Sequence, residues 1–324
     1  MPIKRSELID PDNAGYYHLI SRCVRRAFLC GKDPETNKDY DYRRQWIENR
    51  ILELANYFAI EVFSYAVMNN HYHLVVYSDP KLPQSWSDLE VADKWLKVFP
   101  GKYNNPKFKT QRDLKIQAIV KGPDLLAVYR ERLGSLSWLM RRINEPLAKM
   151  SNAEDYCTGH FWESRFKSQA LLDEGAALTC MAYVDLNPIR AKMANSLEKS
   201  HYTSIKKRLK TRTEDELQST LKAIVGNVKN RTMVLPLKDY IELVEWTGKM
   251  IVSPTKGSIP IQISRSLAHL NINQDNWIVQ VQNYESSYYR FVGSIKKIKE
   301  KTKTLGRKWL KGINSCQELY QSDG

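Results

Sequence analysis

Two histidines one residue apart, His71 and His73, lie in the apolar run HYHLVVY (71–77), whose β-branched and aromatic residues read as a strand. Strand side chains alternate between faces, so both imidazoles emerge on one side, with about 6.5 to 7 Å between their Cα atoms, and can converge on one ion. Tyr72 and Leu74 then point to the packed face. Such a pair is also commonly an ordinary surface or hydrogen-bonded pair. Two nitrogens leave a Lewis-acid site incomplete, because it needs a third ligand and open positions for substrate. Tyr183 and Asn187, four apart in a run of helical spacing, share one helix face a turn apart. Asn187 offers a neutral oxygen ligand and Tyr183 a hydroxyl beside the ion. Pro188 pushes the preceding residue away from helical geometry, and a tyrosine on an amphipathic helix also serves as core or rim.

The elements that must position these residues follow from periodicity. YYHLISRCVR (16–25) reads as a strand, and a helix is expected between Asp41 and Phe58. AIEVFSYAVM (59–68) and HYHLVVY (71–77) form a hairpin across Asn69-Asn70, a pair suited to the positive φ of a tight turn. Residues 79–132, rich in Lys, Asp, Pro and Asn, are expected to be a partly helical surface insertion. A helix over 136–150, a strand over 161–172 and a helix beginning near Asp173 complete the series, with Ala177, Met181 and Val184 facing the sheet. This order predicts an α+β fold: a ferredoxin-like split βαβ antiparallel sheet with helices on one face, spanning roughly 14–205. A basic connector (206–231) and a mainly helical, basic C-terminal extension (232–324) follow.

The 324-residue chain carries 50 basic and 36 acidic residues, a formal charge of +14, so an extended anion is the first partner to consider. Its five cysteines form no CxxC pair and read as reduced thiols. No signal-like apolar stretch opens the sequence, and no eighteen uncharged apolar residues run together, so a cytoplasmic or nucleoid-bound protein without a membrane partner is expected.

Three segments in this order, NNHYHLVVY (69–77), FWESRFKSQALLDE (161–174) and AYVDLNPIRA (182–191), resemble the single-tyrosine HUH transposases, most of all the REP-associated tyrosine transposases of bacteria. The resemblance covers about residues 14–205, and YIELVEWTG (240–248) and GRKWLKG (306–312) resemble the extension of the longer members. It implies that His71 and His73 are the family's two metal-binding histidines, that Tyr183 is the nucleophile attacking the scissile phosphate, and that Asn187 completes the site of Mg²⁺ or Mn²⁺. It further implies nicking and rejoining of single-stranded DNA beside repeat-derived hairpins through a 5′-phosphotyrosine. The long 79–132 insertion departs from the minimal enzymes and leaves substrate choice open.

The chemistry is coherent. Making a phenolate at pH 7 from a tyrosine of pKa about 10 costs roughly 4 kcal/mol, a cost that neighbouring positive charge must lower. Basic and aromatic side chains should hold the strand by phosphate contact and base stacking. The candidates are Arg22, Arg25, Arg26, Arg165 and Lys167 near the site, and Lys206, Lys207 and Arg208 in the connector. His18, His160, His201 and His269 show no partner spacing and read as structural or exposed. Two other readings remain: a DNA- or RNA-binding regulator on the same fold, and a replication initiator or relaxase. No GxxxxGK[ST] loop accompanies the latter, and no nucleotide cofactor is expected.

Overall fold

Alternating β-branched and aromatic residues build the central strands, and amphipathic stretches between them build the helices. The computed structural model describes residues 4–24, 29–33, 37–99, 105–210, 213–228, 231–253 and 259–320. A short α1 (Arg5–Leu8) precedes β1 (Gly15–Arg22), α2 (Tyr42–Ala55), β2 (Ile60–Val67) and β3 (His71–Ser78). Residues 79–132 then hold α3 (Asp88–Val98), α4 (Lys109–Val120) and most of α5 (Pro123–Leu133), which bury Val91, Trp95, Ile116 and Leu126. Next come α6 (Leu136–Glu154), β4 (Lys167–Leu171), α7 (Glu174–Asp185), α8 (Asn187–Arg190) and α9 (Ser204–Arg208). The remainder comprises α10 (Glu214–Gln218), β5 (Thr220–Lys222), β6 (Val225–Gly226), β7 (Thr232–Pro236), α11 (Leu237–Val252), α12 (Ile261–His269), α13 (Trp277–Gln282), α14 (Tyr284–Ser287), β8 (Phe291–Val292), α15 (Ile295–Thr304) and α16 (Ile313–Leu319).

The fold is α+β around a mixed six-stranded sheet of order β6-β2-β3-β1-β4-β8. β1 lies antiparallel to both β3 and β4, β2 antiparallel to β3 and β6, and β8 joins β4 in parallel. The stretch from 232 onward therefore does not stand apart from the sheet.

Helices cover both faces, where the sequence had suggested one. On the face of Ser21, Tyr65 and Tyr72, the Tyr65 hydroxyl donates to Glu48 of α2 (2.6 Å) and the Tyr72 hydroxyl to Asn144 of α6 (2.6 Å). The opposite face, bearing His18 and His73, meets α7. The near-continuous apolar runs of β2 and β3 were the sign of this, since a strand buried on both sides has no polar face to alternate with. Eleven of the twelve α7 residues are likewise buried, which a helix sandwiched between a sheet and further helices requires.

Three local expectations are also corrected. Asn69 and Asn70 are not among the described residues of positive φ; their carbonyls instead accept from the backbone N–H groups of Cys30 (3.0 Å) and Cys23 (2.9 Å), so tertiary hydrogen bonds shape the turn. The strand expected over 161–172 is confined to 167–171, because Glu163, Ser164 and Arg165 turn to solvent around a single bridge between Cys23 and Trp162. The helix of Tyr183 ends at Asp185, and α8 starts after Leu186, where Pro188 supplies no N–H to continue the ladder.

Both ends of α7 are held by carboxylates. Asp173 caps the N-terminus by accepting from Ala176 N–H (2.9 Å), and also accepts from Ser294 N–H (2.7 Å) and the Tyr320 hydroxyl. At the other end the fully buried Asp185 accepts from Tyr240 Oη (2.5 Å), Ile205 N–H (3.0 Å) and the Ser204 hydroxyl. Tyr240→Phe removes one donor from a carboxylate with no access to water, and we expect a loss of about 1–3 kcal/mol in urea unfolding followed by circular dichroism; an unchanged midpoint would contradict this account of the clamp.

Candidate functional site

Period-2 alternation along β3 puts His71 and His73 on the face met by α7, as their spacing requires. Their rings lie 4.7 Å apart between centroids in an edge-on arrangement. Tyr183, from α7, stands edge-on to His73 at 5.6 Å, so phenol and imidazoles share one locus. Asn187 and Arg190, in the next turn of chain, flank the phenol, with the Arg190 guanidinium 4.7 Å from its ring centre. The four residues singled out from the sequence are thus brought together.

A fifth residue was missed. His18 of β1 is buried, and its Nε2 lies 2.9 Å from His73 Nδ1. Its ring stacks on His73 at 5.1 Å and meets Tyr183 edge-on at 6.0 Å. The tail contributes a sixth: Tyr284 of α14 stacks on Tyr183 at 4.7 Å and 23°. No spacing could reveal either, since His18 pairs in register with Val75 rather than His73, and Tyr284 comes from a hundred residues further along the chain than Tyr183. His160, His201 and His269 are exposed, as expected.

Burial sets the electrostatics. Desolvation lowers the pKa of His18 to about 4, and that of His71 to about 4, where the positive charges of Arg22 and Lys167 add to the effect. His73 is driven well below its ordinary range by burial and then by its histidine neighbours, so all three rings are neutral at pH 7, the form in which imidazole binds metal. Burial also pushes the Tyr183 phenol up to about 12, with Glu285 adding to the rise and Arg190 and Asn187 opposing it.

Among the described residues no three histidine, cysteine or carboxylate side chains form a metal-ligating group. A site of two imidazoles and a carboxamide nevertheless fits what is left unsatisfied. His73 Nε2 is buried without a hydrogen-bond partner, and so is Asn187 Nδ2, whose carboxamide would present its oxygen after a half-turn. His71 Nδ1 lies 2.6 Å from Asn70 Oδ1, which leaves its Nε2 as the nitrogen that would ligate a metal.

Tyr183, His18 and Tyr284 border a cavity of about 540 Å³ that is also lined by Arg5, Arg165, Lys167 and Arg290. Of the expected strand-holding cations, Arg165 and Lys167 are exposed at this cavity, and Arg22, paired with His71 across β1 and β3, adjoins them in a smaller recess. Arg25 and Arg26 lie outside the described residues. Lys206 and Lys207 are half-buried on α9, which packs along β2 rather than beside the cavity, and Lys206 Nζ donates to Glu198 O. Arg208 is a correction: it is buried, donating to Phe63 O (2.8 Å) and Lys222 O (3.0 Å), and it ties α9 to the sheet instead of facing solvent.

The chain is similar to a REP-associated tyrosine transposase. The solved structure of that protein, bound to a REP hairpin, aligns over 72% of this chain and 99% of its own, with 11% sequence identity and a TM-score of 0.38. No family model and no curated protein matches. Among the described residues no helix is long and apolar enough to cross a membrane.

The raised Tyr183 pKa is directly measurable. In metal-free protein carrying ¹³Cζ-tyrosine, with the resonance assigned by its loss in Tyr183→Phe, the Tyr183 signal should keep its phenol shift through pH 10. Half-titration near pH 10 would contradict the burial described here.

Proposed function

We propose that this chain is a metal-dependent nuclease and strand-transferase that nicks and rejoins single-stranded DNA beside repeat-derived hairpins, with Tyr183 as nucleophile and His71, His73 and Asn187 as ligands of Mg²⁺ or Mn²⁺. The observation that carries the reading is the packing of the Tyr183 phenol against His73, 5.6 Å between ring centres, with His71 adjoining. The strand order β2-β3-β1-β4, with α2 and α6 on one face, supports a ferredoxin-like, split βαβ core beneath it.

In the proposed reaction the Tyr183 oxygen attacks the scissile phosphorus, the P–O3′ bond breaks, and the leaving 3′-oxygen takes up a proton. The 5′-phosphate stays on the tyrosine as an aryl ester. A second 3′-hydroxyl then displaces it, restoring phenol and a phosphodiester without consuming ATP. When bound, the divalent ion would supply Lewis-acid stabilisation of the charge developing on the phosphate. Deprotonating a phenol of pKa about 12 at pH 7 costs on the order of 7 kcal/mol, and Arg190 beside the ring favours the phenolate. Arg165, Lys167 and Arg5 at the cavity give the backbone phosphates their counter-charges.

The burial of Tyr183, only 1% exposed, favours a second reading, a hairpin-binding protein of the same fold that does not cleave. Incubation with a labelled hairpin bearing a single-stranded flank, followed by denaturing electrophoresis, separates the two. An enzyme gives a covalent protein–DNA band that requires added Mg²⁺ and that Tyr183→Phe, His71→Ala and His73→Ala each abolish. A band persisting in Tyr183→Phe would sink the nucleophile assignment, and no band with any strand polarity would leave the binding reading. Arg165→Ala and Lys167→Ala should each weaken binding to the single-stranded flank and lower the slope of log affinity against log salt by about 0.7; slopes equal to the parent's would remove these residues from the interface.

A further inference from the structure

The amide of Gln169 on β4 has a fixed orientation. Its Nε2 donates to the Tyr289 carbonyl (2.8 Å), so its Oε1 faces inward, where it accepts from the Tyr284 hydroxyl (2.7 Å) and lies 3.4 Å from His18 Nδ1. A carboxamide oxygen only accepts, so His18 Nδ1 carries the proton. A neutral His18 then has a bare Nε2, which accepts from His73 Nδ1–H across 2.9 Å. A neutral His73 protonated on Nδ1 is left with an unprotonated Nε2, the buried atom that has no partner among the described residues.

We infer that His18 and Gln169 are positioning residues for the metal site, a hydrogen-bond relay that locks His73 in the Nδ1–H tautomer and turns the lone pair of its Nε2 toward a divalent cation. The inference rests on the metal site proposed above. Groups that orient a ligating histidine through its second nitrogen typically govern metal affinity by about 10–100-fold. The relay also joins the site to the tail, because Tyr284 and Tyr289 are the residues that orient Gln169.

Two measurements on the full chain test it. In metal-free protein with ¹⁵N-histidine, long-range ¹H–¹⁵N correlations at pH 7.5 should show both His18 and His73 protonated on Nδ1 only, with assignment by single replacement; His73 protonated on Nε2 would overturn the inference without any variant having to fold. Binding of Mn²⁺, read from the loss of the free-ion electron paramagnetic resonance signal, should weaken about 10–100-fold in His18→Phe and recover in His18→Gln, whose Oε1 can accept from His73. Equal Mn²⁺ affinity in the parent and a folded His18→Phe defeats the relay. Absence of Mn²⁺ binding in the parent defeats the metal site itself, and the tautomer measurement tells the two failures apart.

Discussion

The burial of α7 between the sheet and the C-terminal helices is the constraint on which the rest of the structure depends. A helix buried on nearly every side cannot slide against solvent; its axial position and rotation are set by what holds its ends. Asp173 and Asp185 do this, and the partners they recruit come from 204–205, 240, 294 and 320. Moving a carboxylate into a site without water is costly unless donors replace the lost hydration, and Asp185 has a backbone N–H and two hydroxyls on its two oxygens. The pKa of Asp185 is raised by burial and drawn back by those same donors. Tyr183, two residues before it, inherits a fixed place opposite His73.

The order of the polar face follows from this placement. Gly175 at the start of α7 accommodates the Tyr320 ring, which a Cβ would meet at 3.0 Å, and Gly248 of α11 would meet Leu186 at the same distance. These close approaches let the tail reach far enough over α7 for Tyr284 to stack on Tyr183 and to bond Gln169. The C-terminal segment thus supplies part of the wall of the cavity and does not merely follow the sheet in sequence.

Local periodicity made the core of the site legible. His71 and His73 share a face because strands repeat every two residues, and Tyr183 and Asn187 stay neighbours because the chain keeps a helical course through Leu186 even as α7 ends. His18 was not legible, because its meeting with His73 depends on the β1–β3 register and on a diagonal contact across it. Tyr284 was not legible either, since no short-range pattern ties α14 to α7. Arg208 was misread for a related reason: within the run KKRLK it looks like one solvated cation among several, and only tertiary structure shows which member of that run turns inward to cap sheet carbonyls. The one-face reading of the sheet failed where alternation itself failed, in strands apolar on both sides.

Electrostatics and access act on Tyr183 in opposite directions. The surroundings that raise its pKa to about 12 also exclude water, and in that setting the Arg190 guanidinium acts on the ring with little screening. Arg22 and Lys167 reinforce the desolvation that keeps His71 neutral, and at the proposed metal site they would also repel a lone divalent ion, so that proposal favours a cation accompanied by the phosphate of a strand. In that proposal phosphate would neutralise the cationic rim, and with the repulsion reduced the imidazole lone pairs would be able to bind the ion. In the proposed reaction a phenol 1% exposed would have to be uncovered before it touched phosphorus, and one of the rings packed on it is that of Tyr284. That ring is fastened by the hydroxyl it gives to Gln169, the same amide that orients His18. On the function and relay proposed above, uncovering Tyr183 and setting the tautomer of His73 would therefore converge on one carboxamide, that of Gln169.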